Sequence, residues 1–135
     1  MPDLNIKSCS PLALAYMGDG VIEILARERI VLAGNTPDQL HAKALMFVCA
    51  AMQSKAVGNI LPVLSEEETD MYKRGRNAKS RVPKSASVSD YRRATGFECL
   101  FGYLYLCGEH ERMRELFDIA YSYANDTLEN QSEKI

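Results

Sequence analysis

The sequence predicts an all-α domain, and three observations carry that reading. Helix-start signals recur along the chain, at Ser10-Pro11, at Thr36-Pro37-Asp38-Gln39, and at Ser65 with Glu68 three residues on. The text between these signals is helical in period, with almost no strand-like alternation. Glycine or proline stands where several of the runs should stop, at Gly34, Pro62 and Gly108.

Taken in order, Ser10 caps and Pro11 presets a first helix over 11–33, which Gly34 ends. The Thr36/Gln39 capping box opens a second helix through Leu45, Val48 and Met52. A short third helix covers 55–61 and stops at Pro62. The Ser65/Glu68 box begins a fourth that runs into a basic stretch near Lys79. Residues 80–89, SRVPKSASVS, hold a proline and four serines with no apolar period, and read as an exposed loop. A fifth helix runs from about 90 to Cys107, with Gly108 as its terminator. The last, from 109 to about 129, is amphipathic, with Met113, Leu116, Phe117, Ala120 and Tyr121 on one face. A polar tail follows from 130.

A chain of 135 residues suits one domain, here 1–135, able to bury about two thirds of its unfolded surface. It has no apolar run near the roughly 18 residues of a membrane helix and no secretory leader pattern, so a soluble, cytoplasmic protein is expected. Cys9, Cys49, Cys99 and Cys107 lack CxxC spacing and read as small buried hydrophobes, while His41 and His110 read as surface residues. The net charge of −2 hides an uneven distribution. From Lys73 to Arg93 there are eight basic residues and one acid, a block of +7 that leaves −9 for the rest. Such a block attracts phosphate, although a solvated loop has the same composition.

Two acids sit in apolar helical text without an obvious counter-charge: Asp19 in LAYMGDGVIE and Glu98 in TGFECLFGYLYL. Glycines accompany both, Gly18 and Gly20 beside Asp19, Gly96 and Gly102 around Glu98. Each costs about 0.8–1.0 kcal/mol relative to alanine inside a helix, which points to close helix approach. If the helices cross there, the acids share one cation; plain helix packing accounts for the glycines equally well. Hard oxygen ligands with no histidine nearby select Mg²⁺, with Mn²⁺ as a substitute, over zinc.

These residues carry a resemblance. LAYMGDGVIE resembles the signature helix of the ribonuclease III catalytic domain. Together with YKRGRNAKS (72–80), DYRRATGFE (90–98) and TGFECLFGYLYL (95–106), it is similar to the Mini branch of that family, which has no double-stranded-RNA-binding domain. The match runs from about 12 to 116. The resemblance implies a ribonuclease III-like helical bundle that works as a homodimer and a Mg²⁺-dependent endonuclease for double-stranded RNA, leaving 5′-phosphate and 3′-hydroxyl ends. Its implied substrate is precursor large-subunit ribosomal RNA, either by itself or with a ribosomal protein bound to it as a further partner. It puts Asp19 and Glu98 at the catalytic, metal-binding positions, and Tyr16 where an aromatic packs across the dimer; from the residues alone Tyr16 reads equally as a core aromatic.

The chain departs from the larger enzymes of the family in having Leu12, Ala15 and Thr95 where they carry acids. Mg²⁺ tolerates this, because it keeps waters and uses one or two carboxylates plus substrate oxygens. Thr95, one turn before Glu98, is expected to orient one such water. Glu23, one turn after Asp19, is either a group behind the metal site or half of a surface ion pair. Substrate grip falls to Lys73, Arg74, Arg76, Lys79, Arg81 and Lys84, with Asn77 and Ser80 as neutral donors and Gly75 allowing close backbone approach. Arg92 and Arg93 reach phosphate or pair with an acidic helix. Three function classes follow: a nuclease, a silent RNA-binding relative, and a helical interaction protein. Retention of both acids favours the first.

Overall fold

The computed structural model describes residues 5–85 and 87–123. They form six helices: α1 (Pro11–Leu32), α2 (Pro37–Val48), α3 (Ala50–Ile60), α4 (Glu66–Arg76), α5 (Val88–Leu106) and α6 (His110–Ala120). Short 3-10 turns lie at Ile6–Ser8 and Leu61–Val63, and no strand occurs among the described residues.

The start signals act through their side chains. Ser10 Oγ accepts the Ala13 N–H at 3.1 Å, and Thr36 N–H donates to Gln39 Oε1 at 2.9 Å. Ser65 and Glu68 exchange bonds of 2.8 and 3.1 Å, a complete capping box. Gly34 and Gly108 have φ of 81° and 75°, the left-handed conformation that stops α1 and α5.

Helix α5 is the axis of the molecule, with α1 along one side, α4 and α3 along others, and α6 closing against α3. Its residues from Ala94 to Leu104 are buried on almost every face, as a helix apolar all round must be. Beneath it Phe47, Phe97, Phe101, Phe117 and Tyr121 cluster, with ring centroids 4.7 Å apart for Phe97–Phe101 and 4.8 Å for Phe117–Tyr121. The Tyr121 hydroxyl donates to the Phe47 carbonyl at 2.6 Å, so the buried phenol is not left unpaired.

Several boundaries differ from the sequence expectation. The second helix breaks at Cys49, whose extended ψ of 150° ends α2 and begins α3, instead of running through Met52. The break turns Phe47 on one helix and Ala56, Val57 and Ile60 on the next into the same core. Cysteine carries no turn signal, so only that packing marks the place. Helix α4 stops at Arg76, short of Lys79, and α5 starts at Val88, with Ser87 Oγ accepting the Asp90 N–H at 3.2 Å. Helix α6 is described to Ala120; its expected extension to 129 and the tail from 130 lie largely outside the described residues. Of the four free thiols only Cys99 is buried; Cys9 is half-buried, and Cys49 and Cys107 are exposed because they stand at helix ends. His41 and His110 are exposed, as expected.

Candidate active site

Helices α1 and α5 touch backbone to backbone. A Cβ on Gly18 would overlap the Glu98 carbonyl, and one on Gly102 would overlap the Leu14 carbonyl. The two glycines are therefore the crossing point, and Asp19 and Glu98 are brought together beside it. Asp19 is exposed at the lip and Glu98 half-buried beneath, close enough for the charge of one to act on the other. Burial, then the hydrogen bond and negative charge of Asp19, pushes the Glu98 carboxyl up from 4.5 to about 8. Among the described residues no arginine, lysine or histidine nitrogen lies within 4.0 Å of either acid. Two neighbouring acidic side chains with no cation between them are the oxygen donor set a hard divalent ion takes. No cluster of three or more histidine, cysteine or acidic ligands occurs among the described residues, so an ion held here would have this pair and no third such ligand beside it.

The remaining glycines divide. Gly20 has open space around its Cβ position, so close approach does not explain it. Gly96 and Gly75 instead pack α4 onto α5: a Cβ on Gly75 would come within 2.9 Å of the Gly96 Cα, and one on Gly96 within 2.7 Å of the Tyr72 carbonyl.

Around the pair, Thr95 is buried one turn before Glu98 and donates its hydroxyl proton to the Tyr91 carbonyl at 2.9 Å. Only its oxygen lone pairs remain for a water. Ala15 is buried in the α1–α5 packing and Leu12 is exposed. Glu23 accepts from Arg27 at 2.7 Å on the outer face of α1, the surface ion pair of the two readings. Tyr16 is 84% exposed, which rules out a core aromatic. Its ring stands beside an apolar groove of about 510 Å³ lined by Met17, Val21, Ile24, Tyr105 and Met113, with Asp19 on its edge. Sequence reasoning did not single out this groove; the available signal was that α1 has more apolar residues than one buried face can take, leaving Ile24, Val31 and Leu32 exposed.

The basic segment lies at the end of α4 and in the following loop. Lys73, Asn77, Lys79, Arg81 and Lys84 are exposed, and Arg76 and Ser80 half-buried. Two residues of the expected RNA-facing set point inward. Arg74 donates to the carbonyls of Lys7 and Cys9 at 3.0 and 3.3 Å, tying the N-terminal turn to α4. Gly75 serves the α4–α5 packing and has no free face for a ligand. Helical period is the reason: residues 71, 72 and 75 face the core, and 74 faces the turn before α1. Arg93 likewise turns inward, its Nη2 donating to the Ser54 carbonyl at 2.8 Å.

Comparison with known proteins agrees with this arrangement. Residues 12–109 match the Ribonuclease III domain. A Mini-ribonuclease 3 of Clostridium tetani is 42% identical over 132 residues, 96% of this chain and 87% of that protein. A second, from Thermoanaerobacter sp., is 45% identical over 118 residues, 86% of this chain and 83% of its own length. The X-ray crystal structure of a Fusobacterium nucleatum protein superposes with a TM-score of 0.78 at 30% identity, covering 87% of this chain and 96% of that one. The domain match spans both acids and the basic segment in order, so this chain belongs to the ribonuclease III family and is an endoribonuclease.

Proposed function

We propose that the protein cuts double-stranded RNA through the Asp19–Glu98 pair, with Mg²⁺ or Mn²⁺ held between them, and that its natural substrate is precursor large-subunit ribosomal RNA in the bacterial cytoplasm. The observation that carries the reading is two neighbouring carboxyl groups at a glycine-lined helix crossing, with no cationic partner among the described residues. A divalent ion bound there supplies a Lewis acid that activates water and offsets charge on the attacked phosphate, giving 5′-phosphate and 3′-hydroxyl ends. Asp19, at the lip, would meet solvent and substrate, whereas Glu98 would anchor the ion from below and bind it as the ionised carboxylate. Thr95 offers its oxygen as acceptor to a water of that site, and Glu23 stays outside it. Lys73, Arg76, Lys79, Arg81 and Lys84, with Asn77 and Ser80, hold phosphates and 2′-hydroxyls of the duplex.

Tyr16 and the groove beside it form the contact between two copies of the chain, each cutting one strand. An exposed tyrosine next to an apolar hollow is the usual character of an interface. Among the described residues no single helix is long and apolar enough to cross a membrane.

The test is incubation of a labelled RNA duplex with and without Mg²⁺. Metal-dependent cutting by the wild type, lost in Asp19→Asn and Glu98→Gln with RNA binding retained, is the expected result. Full activity in either variant refutes the assignment, and binding without cutting by the wild type would make the protein a silent relative. Mapping ribosomal RNA ends in cells lacking the protein tests the substrate.

A further inference from the structure

We propose that the hollow between the end of α4 and the first turn of α5 is a phosphate-binding subsite, holding a backbone phosphate of bound RNA away from the carboxylate pair. Arg76, Asn77, Ser89, Arg92 and Arg93 line it, and its volume is about 580 Å³. Three arginines line it without an acid among them. Among the described residues no carboxylate oxygen lies within 4.0 Å of any of them, Asp90 on the same turn included.

Neutral partners hold these cations in place. Arg93 is anchored by the Ser54 carbonyl, and its Nε is buried with no hydrogen-bond partner. Arg76 lies 5.6 Å from the Tyr72 ring centroid, and its Nε donates to Asn77 Oδ1 at 3.2 Å. Arg92 is exposed. Val88 and Ser89, the first residues of the long helix α5, border the same hollow. Their backbone N–H groups have no acceptor within the helix and add the positive end of its dipole. Positive charge without counter-charge, with Arg76 and Arg93 held by neutral contacts and Arg92 open to solvent, matches the oxygens of a phosphate.

Position identifies the source of that phosphate. Arg76 and Asn77 end α4 and Val88 begins α5, so the hollow is bracketed by both ends of the loop carrying Lys79, Arg81 and Lys84. It is the recessed part of the cationic surface assigned above to RNA, and the inference rests on that reading. By helical period Ser89, Arg92 and Arg93 leave α5 on the side away from Glu98, so the subsite stands apart from the metal centre. It positions the duplex and takes no part in bond cleavage.

The test uses Arg92→Gln and the double variant Arg76→Gln/Arg92→Gln in the full chain. RNA binding is followed over a salt series in an Asp19→Asn background, and cleavage kinetics with Asp19 intact. The double variant is expected to bind about tenfold more weakly, with a slope of log affinity against log salt shallower by about 1 for each phosphate no longer neutralised. KM rises by a similar factor while kcat falls far less. Arg92→Lys restores the slope and only part of the affinity, because it keeps the charge and loses the fork. Unchanged affinity and slope in the double variant, with thermal melts showing it folded, overturn the proposal. Inorganic phosphate is titrated in parallel: micromolar binding that needs Arg92, with RNA affinity untouched by the substitutions, assigns the hollow to a free anion and also overturns it. If binding depends on the arginines and the wild type does not cut, the nuclease reading fails and the subsite stands; cutting with arginine-independent binding gives the reverse.

Discussion

Adding one methyl group at Gly18 should disable the enzyme more severely than it unfolds it. In Gly18→Ala the new Cβ lands on the Glu98 carbonyl, 2.5 Å from its carbon and 3.0 Å from the Glu98 Cα. All three atoms are backbone, so no rotamer change relieves the overlap. Restoring ordinary separation requires α1 and α5 to move apart by roughly 1.5 Å, given preferred carbon distances of about 3.5–4.0 Å. Overpacking of this kind costs about 1–3 kcal/mol or more, against which alanine returns about 1 kcal/mol of helix propensity. A net loss of up to about 2 kcal/mol lowers Tm by up to roughly 10 °C for a domain of this size. The same separation moves Asp19 from Glu98, and a misplacement of about 1 Å at a catalytic centre costs on the order of 100-fold in rate. Gly20→Ala is the control: nothing lies within 4 Å of its Cβ position, so Tm should rise in keeping with about 1 kcal/mol of propensity. Thermal melts and duplex cleavage, measured at a temperature where both variants are folded, give the two readouts. A Gly18→Ala protein with wild-type Tm and wild-type cutting would refute the crossing as the device that builds the site.

Three other predictions concern the same surfaces. Without metal, folded Glu98 keeps its proton to about 8 while the unfolded carboxyl releases it near 4.5, so stability is full below about 4.5 and is lost as pH rises toward 8. At about 1.36 kcal/mol per pH unit the ceiling is about 5 kcal/mol, and the water-facing Asp19 side reduces it to a few. Urea unfolding in chelator at pH 5 and 8.5 should show this decline in the wild type and not in Glu98→Gln; equal pH dependence in the two proteins contradicts it. Tyr16→Ala should weaken self-association, measured by sedimentation, with little change in the stability of the isolated subunit, since the ring is 84% exposed; an unaltered association constant removes Tyr16 from the interface. Lys73→Gln should make the salt dependence of RNA binding shallower by about 1, whereas Arg74→Gln should leave it unchanged and loosen the N-terminal turn by removing the bonds to the Lys7 and Cys9 carbonyls. A shallower slope in Arg74→Gln would put that side chain on the RNA after all.

Much of this molecule is encoded locally. The caps at Ser10, Thr36 and Ser65 and the left-handed stops at Gly34 and Gly108 act within a few residues of themselves, which is why the sequence alone specified an all-helical chain and most of its helix ends. Asp19 and Glu98 stood out for the same kind of reason, as acids in apolar text, and the order of motifs around them named the family. The break at Cys49 has no local signal and exists because two helices must deliver side chains to one aromatic core. Tertiary structure also decided what each glycine and arginine is for. Gly18 and Gly102 let α1 and α5 cross while Gly20 faces open space, and Arg74 ties down the N-terminal turn while Lys73 beside it faces solvent. A residue type fixes what a side chain can do chemically, but the neighbour it meets depends on how helices distant in sequence pack, and that is settled only when the whole core closes around α5.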